Sequence, residues 1–119
     1  MTIEQAIEKI DKLKPNQIDD VDKVAWLDVL DRIVRAEVLK DGLETKEGYD
    51  ENTPQDTVLL IPEPYSVVYL HWLASQIDMV NQEYAKYQND YILFNNSYKE
   101  FAAWHTRTFR PAKTVFRFF

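Results

Sequence analysis

Cysteine is absent from the chain, which excludes a disulfide framework and any thiolate-held metal. There are only two histidines, His71 and His105, and they stand far apart. Neither belongs to an H-E-x-x-H or Glu-x-x-His pattern, so no zinc or di-iron site is expected. Glycine is nearly as scarce, with Gly42 and Gly48 alone. A glycine-rich phosphate loop therefore cannot be built, and no G-x-S-x-G is present. Long apolar runs are missing too. The most apolar window, Tyr65 to Ile77, is interrupted by His71 and Ser75 and is shorter than the roughly 20 residues that a bilayer requires. The opening residues Met1 to Gln5 carry no basic stretch before an apolar one, so a signal peptide is not expected and the protein reads as soluble.

What is present points to a packed domain. The 119 residues suit one domain, and 45% of them are hydrophobic and 13% aromatic, which is no disordered composition. Net charge is −6 but unevenly spread. From His105 onward there are Arg107, Arg110, Lys113 and Arg117 and no acid, which leaves residues 1–104 with 10 basic against 20 acidic residues. An acidic body of this kind repels DNA.

Periodicity predicts about four helices. Thr2 and Gln5 have capping-box spacing, and Ile3, Ala6, Ile7, Ile10 and Leu13 share one face, so a first helix runs over 2–13 and ends at Lys14-Pro15-Asn16. Asp19 or Asp20 caps a second helix that extends to about Lys40, with Gly42 just beyond as its stop. Asp28 with Arg32, and Asp31 with Arg35, form i,i+4 pairs on a narrow polar arc. Apolar residues occupy most other directions on this helix. Two readings follow: it is central to its own core, or Trp26, Val29 and Ile33 face another subunit.

Residues 41–63 hold both glycines, Pro54 and Pro62, and a run of acids: Asp41, Glu44, Glu47, Asp50, Glu51, Asp56 and Glu63 against Lys46 alone. This is a long acidic loop, within which Thr57 to Ile61 reads as an extended segment or edge strand. Pro64 suits the first turn of a third helix. From Tyr65 to Arg110 there is neither glycine nor proline. One helix of that length would span roughly 70 Å, far too long for a globule of this mass, so a break is placed at Asn81-Gln82. The fourth helix runs over about 83–106. In it Tyr84, Tyr87, Tyr91, Phe94, Tyr98, Phe101 and His105 alternate spacings of three and four. This seam packs on the protein's own helices, or Tyr87, Tyr91 and Tyr98 form a half-wet subunit interface. After Arg110-Pro111 the tail, 111–119, alternates like an extended strand. The expected fold is all-α: a small helical domain over 1–110 with a long acidic loop, and an extended C-terminal tail.

Two stretches imitate catalytic or metal-binding patterns and fail them. Asp50-Glu51-Asn52 opens like a calcium loop, but Pro54 falls at a ligand position and Ile61 replaces the closing glutamate. Glu44-Thr45-Lys46 imitates part of a metal-dependent nuclease motif, but it lies in a loop rather than on a strand. No catalytic residue, cofactor or metal is expected.

One resemblance covers nearly the whole chain. It rests on Trp26-Leu27 with Leu30-Asp31, on Ile61-Pro62-Glu63-Pro64-Tyr65, on Gln76-Ile77-Asp78, on Asn81 with Glu83-Tyr84, and on Tyr98, Phe101 and Trp104 before Arg107-Thr108. In these the chain resembles the small head–tail connector (head completion or adaptor) proteins of tailed bacteriophages. The resemblance implies a helical subunit of the virion neck, assembled as a homo-oligomeric, dodecameric ring beneath the portal protein. Such a ring extends the channel through which double-stranded DNA passes without specific binding, and it receives the next neck protein, a stopper or head-closure protein. It implies a portal-binding role for the C-terminal segment, carried here onto Phe109, Arg110, Val115, Phe116, Arg117, Phe118 and Phe119. The acids Glu44, Glu47, Asp50, Glu51 and Asp56 would then face the channel. The competing reading is a small acidic protein that mimics DNA and inhibits a host enzyme.

Overall fold

The structure, a computed structural model, describes residues 1–46 and 48–109. Among them are four α-helices: α1 (Ile3–Leu13), α2 (Asp20–Val34), α3 (Val67–Val80) and α4 (Tyr84–Thr108). The all-helical expectation holds. The tail beyond Phe109 lies outside the described residues, as does Glu47.

α1 begins as its sequence dictates. Gln5 N donates to Thr2 Oγ1 at 3.2 Å and Thr2 N to Gln5 Oε1 at 3.0 Å, so both arms of the capping box are made. Ile3, Ala6, Ile7 and Ile10 are buried, whereas Leu13 is 69% exposed. The next free N–H groups of the helix start find carbonyls in the acidic loop: Ile3 N donates to Thr57 O and Glu4 N to Gln55 O, both at 3.0 Å. Leu59 N donates to Met1 O at 2.9 Å, and Thr2 bridges Val58 in antiparallel fashion. The run 57–61 thus pairs with the start of the chain through one isolated bridge at Val58 and does not form a strand, since Leu60 and Ile61 bend away.

α2 departs from expectation at its end. The α-helix stops at Val34 and widens into a π-helical turn, Arg35–Leu39, closed by Lys40 in the left-handed region at φ 51°. Lys40 N donates to Arg35 O at 2.7 Å, the i→i−5 bond of such a turn. The left-handed stop is therefore Lys40, two residues before Gly42. Val24, Leu27, Leu30 and Val34 are buried, so much of the apolar ring of α2 serves its own core. The buried Lys23 ammonium is held by Asp11 at 2.7 Å, with Asp20 at 3.7 Å.

α3 starts at Val67 rather than at Pro64, because Pro62 to Tyr65 first close a turn in which Tyr65 N donates to Pro62 O at 2.8 Å. The break before α4 falls where it was placed: Asn81 caps α3 and Gln82 takes a positive φ of 58°. α3 and α4 run antiparallel. Trp72 meets Phe94 at 5.0 Å between ring centroids, and Tyr65 meets Trp104 at 5.2 Å. The seam on α4 buries Phe94 and Phe101 and half-buries Tyr87, Tyr91 and Tyr98, while Tyr84 is exposed, so its centre packs on its own chain. α4 has 25 residues and α3 has 14. At about 1.5 Å per residue, the last turns of α4 extend beyond the start of α3.

Candidate assembly surface

The acidic loop is a strap tied to the helices. Its anchor is Asp31, which stands in the apolar stripe of Leu27, Leu30 and Val34 and is only 4% exposed. The Asp31 carboxylate accepts from Tyr69 Oη at 2.6 Å, from Tyr49 Oη at 2.5 Å and from Leu60 N at 3.2 Å. Tyr69 Oη in turn accepts from Ile61 N at 2.8 Å. One carboxylate thereby joins α2, α3 and both ends of the strap. Burial raises the Asp31 pKa above its ordinary value, against three hydrogen bonds that pull it down. Burial beside this carboxylate pushes both tyrosine hydroxyls well above 10.

The expected Asp31–Arg35 pair is therefore not made. Asp31 turns inward, and Arg35 instead pairs with Asp41 at 2.8 Å across the π-helical turn. The Asp28–Arg32 pair is made at 3.0 Å. Its carboxylate also accepts from Tyr49 N at 3.0 Å, while Arg32 Nη1 donates to Glu44 O at 3.1 Å. Gly48 lies against this pair so closely that an added Cβ would stand 1.8 Å from Asp28 Oδ1. Asp28 cannot yield without releasing Arg32 and Tyr49 N. We expect Gly48→Ala to cost about 1–3 kcal/mol through this overpacking and to loosen Tyr49, read as a lowered urea midpoint with raised tyrosine accessibility. An unchanged midpoint would show that the strap does not depend on this approach.

The predicted loop acids occupy different settings. Asp50, Glu51 and Asp56 are exposed and Glu44 is half-buried. The Asp50 carboxylate is turned back on its own turn, accepting from Asn52 N at 2.8 Å and standing 3.4 Å from the Thr53 hydroxyl. Of the predicted interface set, Val29 is 46% exposed, and Trp26 and Ile33 are half-buried. Trp72 Nε1 donates to Trp26 O at 2.8 Å, which ties that part of α2 to α3. Tyr98 Oη donates to Glu37 Oε1 at 2.8 Å; partial burial and this acceptor raise its pKa above 10. Tyr87 and Tyr91 stack on each other at 5.5 Å. The structure thus gathers the α4 tyrosines along one seam and leaves Val29 as the most exposed of the six.

Of the predicted tail only Phe109 is described. It is 59% exposed, meets His105 at a tilt with 4.6 Å between ring centroids, and meets Trp104 edge-on at 6.0 Å. With Tyr65 and Phe101 these rings form an aromatic cluster at the far end of α4. Arg110, Val115, Phe116, Arg117, Phe118 and Phe119 lie outside the described residues.

Two groups escaped sequence reasoning. The first is the Asp31, Tyr49 and Tyr69 knot. The second is a charged cluster at the other end of the helices, where Lys14 Nζ stands 2.7 Å from Asp78 and 3.2 Å from Asp90. It borders an open groove of about 250 Å³ between α1, α3 and α4, whose walls include Leu13, Leu70, His71 and Leu93. In both groups the available signal was an aspartate set inside an apolar stripe: Asp31 among Leu27, Leu30 and Val34, and Asp78 beside Ala74 and Ile77.

Comparison with protein-family models, with curated proteins and with solved structures finds no match to this chain. Among the described residues no three histidines or acids gather in a way that could hold a metal ion, and no helix is long and apolar enough to cross a membrane.

Proposed function

We propose that this chain is a structural subunit of a tailed-phage neck, assembling as a ring beneath the portal, extending the DNA channel and receiving the next neck protein. The observation that carries this reading is the end of α4. Phe109 is exposed there on an aromatic cluster, at the root of a tail that is basic and rich in phenylalanine. The resemblance in sequence supports the same assignment. So does the exposed Val29 on α2, since a ring subunit must keep apolar surface for its neighbours. Acids on an anchored strap, lining a channel, would repel DNA and let it slide.

Deletion of residues 111–119 is expected to leave a folded helical domain that no longer docks on portal-containing heads. Among the described residues the buried core ends at Phe101, well before the deletion. Each phenylalanine seated in a portal pocket contributes roughly 1.5–3 kcal/mol, and repetition around a ring multiplies the effect. Head docking, followed by sedimentation and negative-stain imaging, reads the result. Normal docking by the truncated protein would remove the tail from the mechanism.

One observation favours the competing reading, a DNA mimic that inhibits a host enzyme. The strap is held by Asp28 and Asp31 rather than loose, and a mimic needs fixed carboxylates. Against it, Asp50 spends its carboxylate on its own turn. Specific capture of a host nuclease or polymerase by the purified protein, with loss of that enzyme's activity, would favour the mimic over the neck subunit.

A further inference from the structure

Asp78 on α3 is buried, with 0% of its side chain exposed, against Lys14, which borders the groove between α1, α3 and α4. Its Oδ1 accepts from Lys14 Nζ at 2.7 Å, but its Oδ2 is buried without a hydrogen-bond partner. A buried carboxylate oxygen left bare is costly. The neighbouring groups offer one remedy. Asp90 on α4 shares the same ammonium, and a hydrogen bond between the two acids raises Asp78 and lowers Asp90, which assigns a shared proton to Asp78. Lys14 spans both acids, and it is the residue at which α1 ends and the link to α2 begins.

We propose that Lys14, Asp78 and Asp90 form a proton-operated latch that pins the end of α1 to the α3–α4 hairpin and loosens when Asp78 ionises. With Asp78 protonated, its bare oxygen gains a hydrogen to donate and one positive charge meets one negative. With Asp78 ionised, two carboxylates share one ammonium and Oδ2 loses its hydrogen. The other charged groups around the trio do not replace that hydrogen. On α2, Lys23 is engaged by Asp11 and Asp20. In the turn, Glu83 is paired with Lys86 of α4. His71 of α3 shares the groove with Asp90.

The direction of the pH effect follows. Burial, the hydrogen bond to Asp90 and the Asp90 charge push Asp78 from 3.8 up to about 6, against the pull of Lys14. Its contribution to stability is full below 3.8 and is lost as pH rises through about 6. Asp90 moves the other way: burial raises it, but bonds from Asp78 and Lys14 bring it below 3.8. Its contribution is lost only under strongly acid conditions, outside the working window. For Lys14, burial lowers its pKa while both acids more than compensate, so it keeps its charge throughout.

The test is hydrogen exchange of the α1 amides at about pH 5 and about pH 7, corrected for intrinsic rates. Native protein is expected to lose roughly tenfold in α1 protection across that interval, the linkage value for such a shift. Asp78→Asn is expected to show no such loss, because its amide donates to Asp90 at every pH while its oxygen still accepts from Lys14. Imidazoles as a class change charge in the same window, so His71→Gln is the control and is expected to behave as native. Constant protection in the native protein, a pH-dependent Asp78→Asn, or a pH-independent His71→Gln would each overturn the latch. Should Asp78→Asn fail to fold, the carboxyl carbon resonances of the native protein decide. A midpoint near 6 at Asp78 supports the latch, and ordinary midpoints for all aspartates overturn it.

Discussion

Asp31→Ala is expected to destabilise the protein by about 3–5 kcal/mol, a loss at the upper end of the single-residue range. The change orphans three donors at once: the Tyr49 and Tyr69 hydroxyls and Leu60 N–H. Each buried donor left unmet costs about 1–3 kcal/mol, and partial relaxation toward solvent keeps the total below the simple sum. The damage spreads because Tyr69 Oη also receives Ile61 N, so disturbing that ring exposes a second backbone group. Asp31→Asn is the milder contrast: it keeps an acceptor but turns an amide toward a donor. Tyr69→Phe and Tyr49→Phe should each cost less than Asp31→Ala, and together they should be non-additive, since both hydroxyls serve one carboxylate. Urea unfolding at neutral pH measures the four single variants and the tyrosine double variant. An Asp31→Ala loss below about 1 kcal/mol would mean that the knot is a by-product of packing rather than its anchor.

The same carboxylate shows where reading a sequence runs out. The four helices, the capping box at Thr2 and the break at Asn81-Gln82 were legible because each depends on residues a few positions apart. For Asp31 the partner within local reach was Arg35, at i+4, and that pairing proved wrong. Its true partners lie 18, 29 and 38 residues away. Lys14 and Asp78 are 64 apart. No spacing rule connects such positions; the fold must first bring them together. What the pattern did offer was the anomaly, an acid inside an apolar stripe, which a close reading can flag without naming its partner. The same holds for the acidic loop. Its charge was plain from composition, but its anchorage depends on Gly48 passing against the Asp28–Arg32 pair, a contact that only assembled helices create.

The candidate surface was legible to a different degree. The α4 seam was found at the right residues, yet periodicity alone could not say whether it met its own chain or another. Phe94 and Phe101 answer that for the centre of the seam, and the half-buried tyrosines flank it. Outward apolar surface is spread over the molecule, with Leu13 on α1, Val21 and Val29 on α2, Val80 on α3, and Ile92, Leu93 and Phe109 on or just beyond α4. A monomer tolerates scattered residues of this kind, so their number decides little. Their position matters more: Phe109 continues directly into the aromatic, basic segment.

Phe101→Ala brings stability and assembly into one experiment. Phe101 is 1% exposed, with the Tyr65 ring at 6.2 Å, Trp104 at 6.3 Å and Tyr98 at 6.4 Å. Emptying that site is expected to cost about 3–5 kcal/mol, the range for a buried phenylalanine that neighbours cannot replace. The rings around it are large and already packed on one another, so the cavity collapses poorly. Trp104 lies one turn further along, and its emission is expected to shift to the red as that end of α4 loosens. Phe109→Ala isolates the other contribution. Exposed as it is, Phe109 should change stability by no more than about 0.5 kcal/mol. If the end of α4 is the root of a docking segment, Phe101→Ala weakens docking by unseating that root, and Phe109→Ala weakens it with the fold intact. A Phe109→Ala protein that docks as well as the native one would detach the aromatic cluster from assembly and leave it as the cap of the α3–α4 core.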